Sequence, residues 1–453
     1  FAGWYEVPDG GNNNASRVYD GTYTASRGMR LYASFTSAEY TVKLDSVGGT
    51  LDVTEVTVTY KEEYKLPVPV SKSLDKVFGG WYAEPNGVGQ YTDGDGYGKG
   101  LWTGTDNDIT LYAYWVSTLN YTLDNSGAGY IVTEGEGIAY ATKIRVEPTH
   151  ENKPVKSIDS LAGAGRLQSI EIPDTVDVAK GMMAGVKSSV FADCPVLEAI
   201  NVYATGDTAK TASFDGVLYV LDEESSGKTL SLVPLAKSGK IKVMEGTTAI
   251  AAYAFSNIGV KEIEIPSTVT RVGAKAFENC AELEKVEFSV ADESETPAEL
   301  VVEDGAFANC ANLTTMKLPG RLAKGEYTQK DSAVTSYKLQ INTKFNGSIL
   351  EGCNKLENVE IVGKQVNYKS IDGIVYSADG SELLYCPKGR TGKVKTDPAA
   401  KVIGNNAFNS CTELAEVEIT FNIEKVGEFA FLRCYKLQNV VFGGTRDDAP
   451  LTI

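Results

Sequence analysis

Apolar residues return along the C-terminal two-thirds of the chain at one fixed spacing. In the clearest copies Phe is followed three residues on by Cys, six by Leu, nine by Val and eleven by Ile or Phe. These copies are Phe277, Cys280, Leu283, Val286 and Phe288; Phe408, Cys411, Leu414, Val417 and Ile419; and Phe431, Cys434, Leu437, Val440 and Phe442. Phe191, Phe307 and Leu350 open three more, with Cys194, Cys310 and Cys353 in the same slot, while Leu161 and Phe255 open variants with Ala164 and Ile258 there. The shortest steps, Phe255 to Phe277 and Phe408 to Phe431, are 22 and 23 residues. A unit this short cannot enclose its own apolar side, so successive units must stack as a solenoid. Within one step, Ile265 to Gly273 predicts an extended outer return, Ala274 to Cys280 a short helical turn, and Leu283 to Phe288 an alternating strand. Stacking aligns the strands into one parallel sheet along the concave side.

Two longer steps carry matching insertions. Phe214-Asp-Gly-Val-Leu-Tyr219 leads to Leu230-Ser-Leu-Val-Pro234, and Ile371-Asp-Gly-Ile-Val-Tyr376 leads to Leu383-Leu-Tyr-Cys-Pro387. Asp-Gly between apolar runs is a hairpin turn signal, so hairpins are expected near 213–234 and 370–387. Residues 117–160 predict an N-terminal cap in which Asn120–Asp124 and Gly129–Thr133 form a hairpin over the first coil; residues 161–453 are the repeats.

The first quarter follows the two-residue period of strands instead. Tyr40-Thr-Val-Lys-Leu44 and Val53-Thr-Glu-Val-Thr-Val-Thr-Tyr60 alternate, Gly48-Gly49 supplies a turn, and Ile109-Thr-Leu-Tyr-Ala-Tyr-Trp115 closes a small β-domain over 38–116. Phe1-Ala-Gly-Trp-Tyr5 matches Phe78-Gly-Gly-Trp-Tyr82, and Leu31-Tyr-Ala-Ser-Phe35 matches the closing strand, so residues 1–37 are expected to be part of an equal unit. Pro450-Leu-Thr-Ile453 parallels Pro297-Ala-Glu-Leu-Val-Val302, which suggests a piece of a longer protein.

The pattern Phe-x-Gly-Trp-Tyr followed by Leu-Tyr-Ala-x-(Trp/Phe) resembles the Listeria–Bacteroides repeat, a small β-grasp-like module. The set Ala-Phe-x-x-Cys-x-x-Leu, Ile-Pro-x-x-Val and Asp-Gly-(Val/Ile)-(Leu/Val)-Tyr resembles the BspA-like leucine-rich repeat family. The resemblances imply a β-rich α/β solenoid, a right-handed superhelix with a parallel concave sheet, preceded by β-grasp-like domains. They also imply a secreted or surface-anchored bacterial protein engaged in adhesion or ligand capture.

Composition narrows the chemistry. Apolar residues make up 42%, as in ordinary globular proteins, and the net charge of −17 disfavours nucleic acid and anionic membranes. No apolar run is long enough to span a bilayer. His150 is the one histidine, in the polar stretch Thr149-His-Glu-Asn152, so histidine-rich zinc sites are excluded and a catalytic role is not expected. Six of the seven cysteines share the repeat slot and read as small buried thiols; Cys386 lies outside it and is expected to be exposed. Gly227-Lys-Thr229 lacks the leading glycine of a phosphate loop, since residue 222 is Asp. Asp93-Gly-Asp-Gly96 lacks the further ligands of a calcium loop. The tryptophans recur in strand motifs and read as core, except Trp102, expected to be an exposed ring. No catalytic, metal or cofactor site is expected.

The outward positions of the repeated strand hold the one surface signal. Across eight coils they include ten Glu, three Lys and no aromatic residue. Aligned glutamates are expected to repel one another across neighbouring strands and to attract a basic protein partner through their summed field. The expected contacts are Glu171, Glu264, Glu287, Glu360 and Glu418, on extracellular, host or neighbouring-cell proteins. The alternatives are an envelope spacer without a ligand and, more remotely, a glycan-active enzyme.

Overall fold

The computed structural model describes residues 3–5, 17–19, 32–34, 37–178, 190–206, 208–222, 227–290, 298–322, 349–364 and 367–443. The chain divides into two compact units, Phe1–Thr118 with Gly135–Tyr140, and Leu119–Glu134 with Ala141–Ile453. The expected parallel of Pro450–Ile453 to an earlier coil lies outside the described residues.

In the first unit, Gly3–Tyr5 sits between Arg17–Tyr19 and Tyr32–Ser34 in an antiparallel sheet. A second sheet has the order Glu55–Thr59, Glu39–Asp45, Ile109–Ser117, Lys76–Tyr82, with the two central strands parallel. Alternation turns Val42, Leu44, Val58, Phe78, Trp81, Leu111 and Ala113 to one side, where they form the core with Leu66 and Trp102. Trp102 is therefore a correction: it is 1% exposed, not a surface ring. It lies edge-on to Tyr64 at 5.2 Å, and its indole N–H donates to the Gly104 carbonyl at 3.0 Å. A large ring with a satisfied donor gains most inside. In the Asp93–Gly96 loop, the Asp93 carboxylate accepts the N–H groups of Asp95 and Tyr97, both at 2.9 Å, a self-contained turn.

The second unit opens on a sheet in which Leu119–Leu123 pairs antiparallel with Tyr130–Glu134, which runs parallel to Lys153–Ile158. Beyond it the coils are held to one another by three ladders. The front ladder comprises three parallel sheets: Lys143–Arg145, Ser169–Pro173 and Ala199–Tyr203; then Ser238–Lys242, Gly259–Ile265, Lys285–Phe288, Thr315–Pro319 and Asn358–Val362; then Gly392–Lys395, Leu414–Ile419 and Asn439–Phe442. The back ladder joins Lys228–Leu232, Thr247–Ile250, Arg271–Val272 and Val301–Val302 in parallel, and likewise Glu382–Tyr385, Val402–Ile403 and Lys425–Val426.

The third ladder replaces the helical turn expected from Ala274 to Cys280. Among the described residues the one helical segment is the 3-10 turn Ile138–Tyr140, so the α component of the expected fold is absent there. Lys275 and Asn279 stand in the left-handed region at φ 56° and 61°, which interrupts any right-handed run. The same pair of positions is left-handed at Tyr253 and Asn257, at Asn406 and Ser410, and at Phe429 and Arg433. Alternate N–H groups then point in different directions. Those of Ala276, Glu278 and Cys280 close turns within the coil, whereas those of Lys275, Phe277 and Asn279 donate to Asp304, Ala306 and Ala308 of the next coil at 2.7–3.0 Å. The backbone is thus satisfied laterally rather than along a helix. Outside, Asn257, Asn279 and Asn309 form an amide ladder, with 3.3 and 3.0 Å between successive side chains.

Inside, Phe255, Phe277 and Phe307 stack at centroid distances of 4.6 and 4.7 Å. Four of the six repeat cysteines donate the S–H to the carbonyl of the Phe one coil earlier: Cys280 to Phe255 at 3.0 Å, Cys310 to Phe277 at 3.2 Å, Cys353 to Phe307 at 3.1 Å and Cys434 to Phe408 at 3.1 Å. The slot thus takes a small apolar group, and the thiol adds a second donor to carbonyls that already accept a backbone N–H within their own coil. Cys386 corrects the expectation of exposure: it is 1% exposed, and its carbonyl accepts from the Cys411 thiol at 3.6 Å. Cys434, in the last described coil, is half-buried. Burial raises its thiol to about 11. An aromatic disulfide reagent should therefore modify Cys434 alone in the folded protein, slowly, and the other six thiols only on unfolding. A second readily titrated thiol would contradict the column.

The insertions are larger than hairpins. Thr211–Phe214, Val217–Leu221 and Lys228–Leu232 form a three-stranded meander whose last strand is already the start of the back ladder, and Tyr368–Ile371, Ile374–Ser377 and Glu382–Tyr385 repeat it. Asp215 and Gly216 have φ of 50° and 73°, Asp372 and Gly373 48° and 71°, the two-residue turn that Asp-Gly favours. The second meander bridges two consecutive core clusters: Val375 and Tyr385 belong to the one holding Leu283 and Leu313, Ile374 and Tyr376 to the one holding Leu414.

Candidate interaction face

Parallel register sets the outward side chains of the front ladder in two rows. One row of the central sheet runs Lys240, Glu262, Lys285, Thr315, Asn358; the other runs Lys242, Glu264, Glu287, Lys317, Glu360. In the third sheet Lys393 is level with Glu416 and Lys395 with Glu418, and in the first Arg145 is level with Glu171. Strands about 4.8 Å apart bring these charges into contact.

Four of the five nominated glutamates are neutralised within the face. Glu171 pairs with Lys143 at 2.8 Å and Arg145 at 3.4 Å, and Glu264 with Lys240 at 2.5 Å. Glu287 lies between Lys285 at 2.8 Å and Lys317 at 3.1 Å, and Glu418 between Lys393 at 2.8 Å and Lys395 at 2.7 Å. Hydrogen bonds from Lys285 and Lys317 hold the Glu287 carboxyl below its ordinary range, and those from Lys393 and Lys395 bring Glu418 to about 2. Glu360 is exposed and has no ion-pair partner among the described residues. The expected mutual repulsion of aligned glutamates is therefore corrected: Glu264 and Glu287 do stand side by side, but each is paired with a lysine of the same face.

The missed cations come from strands that lack the full repeat phrase. Each of the three sheets begins with one, and each carries a basic–aliphatic–basic tripeptide: Lys143-Ile144-Arg145, Lys240-Ile241-Lys242 and Lys393-Val394-Lys395. That tripeptide was the available signal.

The glutamates do not form one continuous row, because the insertions divide the ladder. The Ile200 N–H donates to the Gly216 carbonyl at 2.9 Å, and the Val359 N–H to the Gly373 carbonyl at 3.1 Å, so each Asp-Gly turn occupies the edge where the next strand would pair. Lys237 holds the first turn through Asp215 at 3.0 Å, and Arg390 holds the second through Asp372 at 3.5 Å.

His150 lies in a short strand rather than a free loop. Its ring stacks on Tyr121 at 4.4 Å and meets Tyr130 edge-on at 4.7 Å. Residues 228–229 of the glycine-lysine-threonine stretch lie in a strand. Among the described residues no group of three His, Cys, Asp or Glu side chains could hold a metal ion, and no helix is long and apolar enough to cross a membrane.

Comparison with known sequences agrees with these ladders. The sequence profile described as BspA type leucine rich repeat region matches residues 236–357, 295–377 and 388–448, in six copies. That of the Listeria-Bacteroides repeat domain matches residues 40–114. Residues 236–377 and 388–448 are therefore BspA-type leucine-rich repeats, and residues 40–114 a Listeria–Bacteroides repeat. No curated protein matches the chain. Solved structures similar to it include the pneumococcal vaccine antigen PcpA, at 20% identity and a TM-score of 0.36 over 72% of this chain and 68% of that one. A leucine-rich cell surface protein of Faecalibacterium prausnitzii matches at 13% identity and TM-score 0.25, over 73% of this chain and 94% of that one. A leucine-rich repeat protein of Eubacterium ventriosum matches at 16% and 0.29, over 50% and 70%.

Proposed function

We propose that this chain is a non-catalytic interaction protein of a bacterial cell surface. We read the front ladder as the concave lining of a right-handed superhelix and the four-stranded sheet of the first unit as β-grasp-like. Protein partners would be held on that lining, with Glu171, Glu264, Glu287, Glu360 and Glu418 among the contacts. The observation that carries this reading is the outward lattice itself: regularly spaced charges fixed by neighbours need little ordering on binding. Glu360, whose register neighbour Lys317 is paired with Glu287 instead, is the contact expected to matter most to a basic partner.

The internal pairing of the other four also favours a second reading, an envelope spacer that needs no ligand. Retention of proteins from host-matrix and bacterial-surface extracts separates the two. Binding should weaken as salt rises, fall severalfold in Glu360→Gln, and change less in Glu418→Gln, whose removal leaves two lysines to re-pair. Retention indifferent to salt and to both substitutions would leave only the spacer.

A further inference from the structure

The face of the first unit's sheet opposite its core carries a cluster of tyrosines that core packing does not require. Tyr82 and Tyr112 are directly opposite across the antiparallel pair, and Tyr114 lies level with Gly80 one step along. The rings of Tyr82 and Tyr114 meet at 5.1 Å with a 57° tilt. Tyr140 joins them from the segment 135–140. Its ring lies over Gly94 and that of Tyr114 over Gly87, positions where any Cβ would collide with the ring. All four tyrosines are half-buried, each leaving part of its ring at the surface. Burial, then the proximity of Tyr114, Glu136 and Tyr140, raises the Tyr82 hydroxyl above its ordinary value.

The charge around the cluster is mainly negative. Residues 77–96, 109–117 and 135–140 contain Glu84, Asp93, Asp95 and Glu136 and no Lys or Arg; on the neighbouring strand Asp45 is level with Tyr112, and Lys43, level with Thr110, is paired with Asp108 at 3.1 Å. Half-buried aromatic faces rimmed by carboxylates offer a cation both a ring quadrupole and a counterion. Tyrosine also presents a rigid contact area at low entropic cost.

We propose that Tyr82, Tyr112, Tyr114 and Tyr140, with Glu84 and Glu136, form a docking platform for lysine and arginine side chains of a basic protein segment. The platform is independent of the front ladder and goes beyond the function proposed for it. A neutral saccharide could also stack on tyrosine, but it would gain nothing from the mainly negative rim, so the cation is the better match.

The test is titration of the full chain with blocked tri-lysine and tri-arginine peptides, followed by NMR line shifts, against a tri-glutamate peptide and a neutral oligosaccharide. Both basic peptides should bind, more weakly as salt rises, and the other two should not. The double variant Tyr82→Leu/Tyr114→Leu, with its fold checked by thermal melting, should lose about tenfold in affinity. Should that variant fail to fold, Glu84→Gln/Glu136→Gln changes only exposed side chains and should weaken binding about threefold. Glu360→Gln should leave peptide binding unchanged. Unaltered affinity in the folded tyrosine variant or in the glutamine pair, or equal binding of the oligosaccharide, would overturn the platform. Loss confined to Glu360→Gln would do so while sparing the front-ladder reading.

Discussion

Phe277→Ala is expected to destabilise the solenoid by about 3–5 kcal/mol, the usual cost of deleting a fully buried ring. Phe277 is 0% exposed and is stacked on both sides, by Phe255 at 4.6 Å and Phe307 at 4.7 Å. Its backbone is fixed as well, by an N–H donated to Ala306 and a carbonyl that accepts the Cys310 thiol. The site cannot collapse, because closing the cavity would break the lateral ladder on either side. Phe431, in the last described coil, is half-buried with one stacked neighbour, Phe408, at 5.0 Å. Phe431→Ala should therefore cost roughly half as much. Urea denaturation followed by circular dichroism measures both. Equal losses at the two positions would mean that the Phe rings do not form a column.

Arg321→Met should cost a similar amount, about 3–5 kcal/mol, although it removes a charge from the interior. The Arg321 side chain is 7% exposed, and no carboxylate pairs with it among the described residues. Its guanidinium donates instead to three main-chain carbonyls: Ala298 at 2.7 Å, Ser267 at 2.7 Å and Val269 at 2.6 Å. Burial pulls its pKa below the ordinary arginine value. The three acceptors come from the outer returns of earlier coils, so one planar fork ties coils together where the back ladder is only two residues wide. Methionine keeps much of the volume but leaves three acceptors unpaired, at about 1–3 kcal/mol each before relaxation. Arg321→Lys should recover only part of the loss, because an ammonium cannot reproduce the fork. Stability of the methionine variant equal to that of the parent would remove the staple from the account.

Where one physical period dominated, the fold was legible in the residues. Leu283-Glu-Lys-Val-Glu-Phe288 alternates, and it is a strand turning Val286 and Phe288 inward. Asp215-Gly216 and Asp372-Gly373 announce their turns because few residue pairs accept two positive φ angles. The reading failed where a local signal was diluted. Asn279 hinted at a left-handed turn, but Lys275, Tyr253 and Phe429 adopt the same conformation without any compositional mark. Lateral hydrogen bonding to the next coil imposes it there, and no window of a single coil contains that partner. Cys386 sits beside Pro387 in an insertion, and its burial depends on a coil 25 residues away. The interaction face suffered most: the glutamates were visible in the repeat phrase, whereas Lys240 and Lys393 lie in strands that have lost it. The tyrosine face was hidden in the same way, since Tyr112 and Tyr114 read as ordinary alternation until Gly87 and the segment 135–140 are brought against them.

The lateral bonds of the turn segment have a consequence for how such a chain can change. Phe255, Phe277 and Phe307 each pass an N–H forward to the following turn, so every rung both receives and hands on the same set of contacts. Excising or duplicating one whole rung leaves each junction chemically identical, and the protein simply becomes shorter or taller. A gain or loss of three or four residues between Phe and Leu would misalign rings, thiols and amides together, so length in this architecture is quantised in rungs.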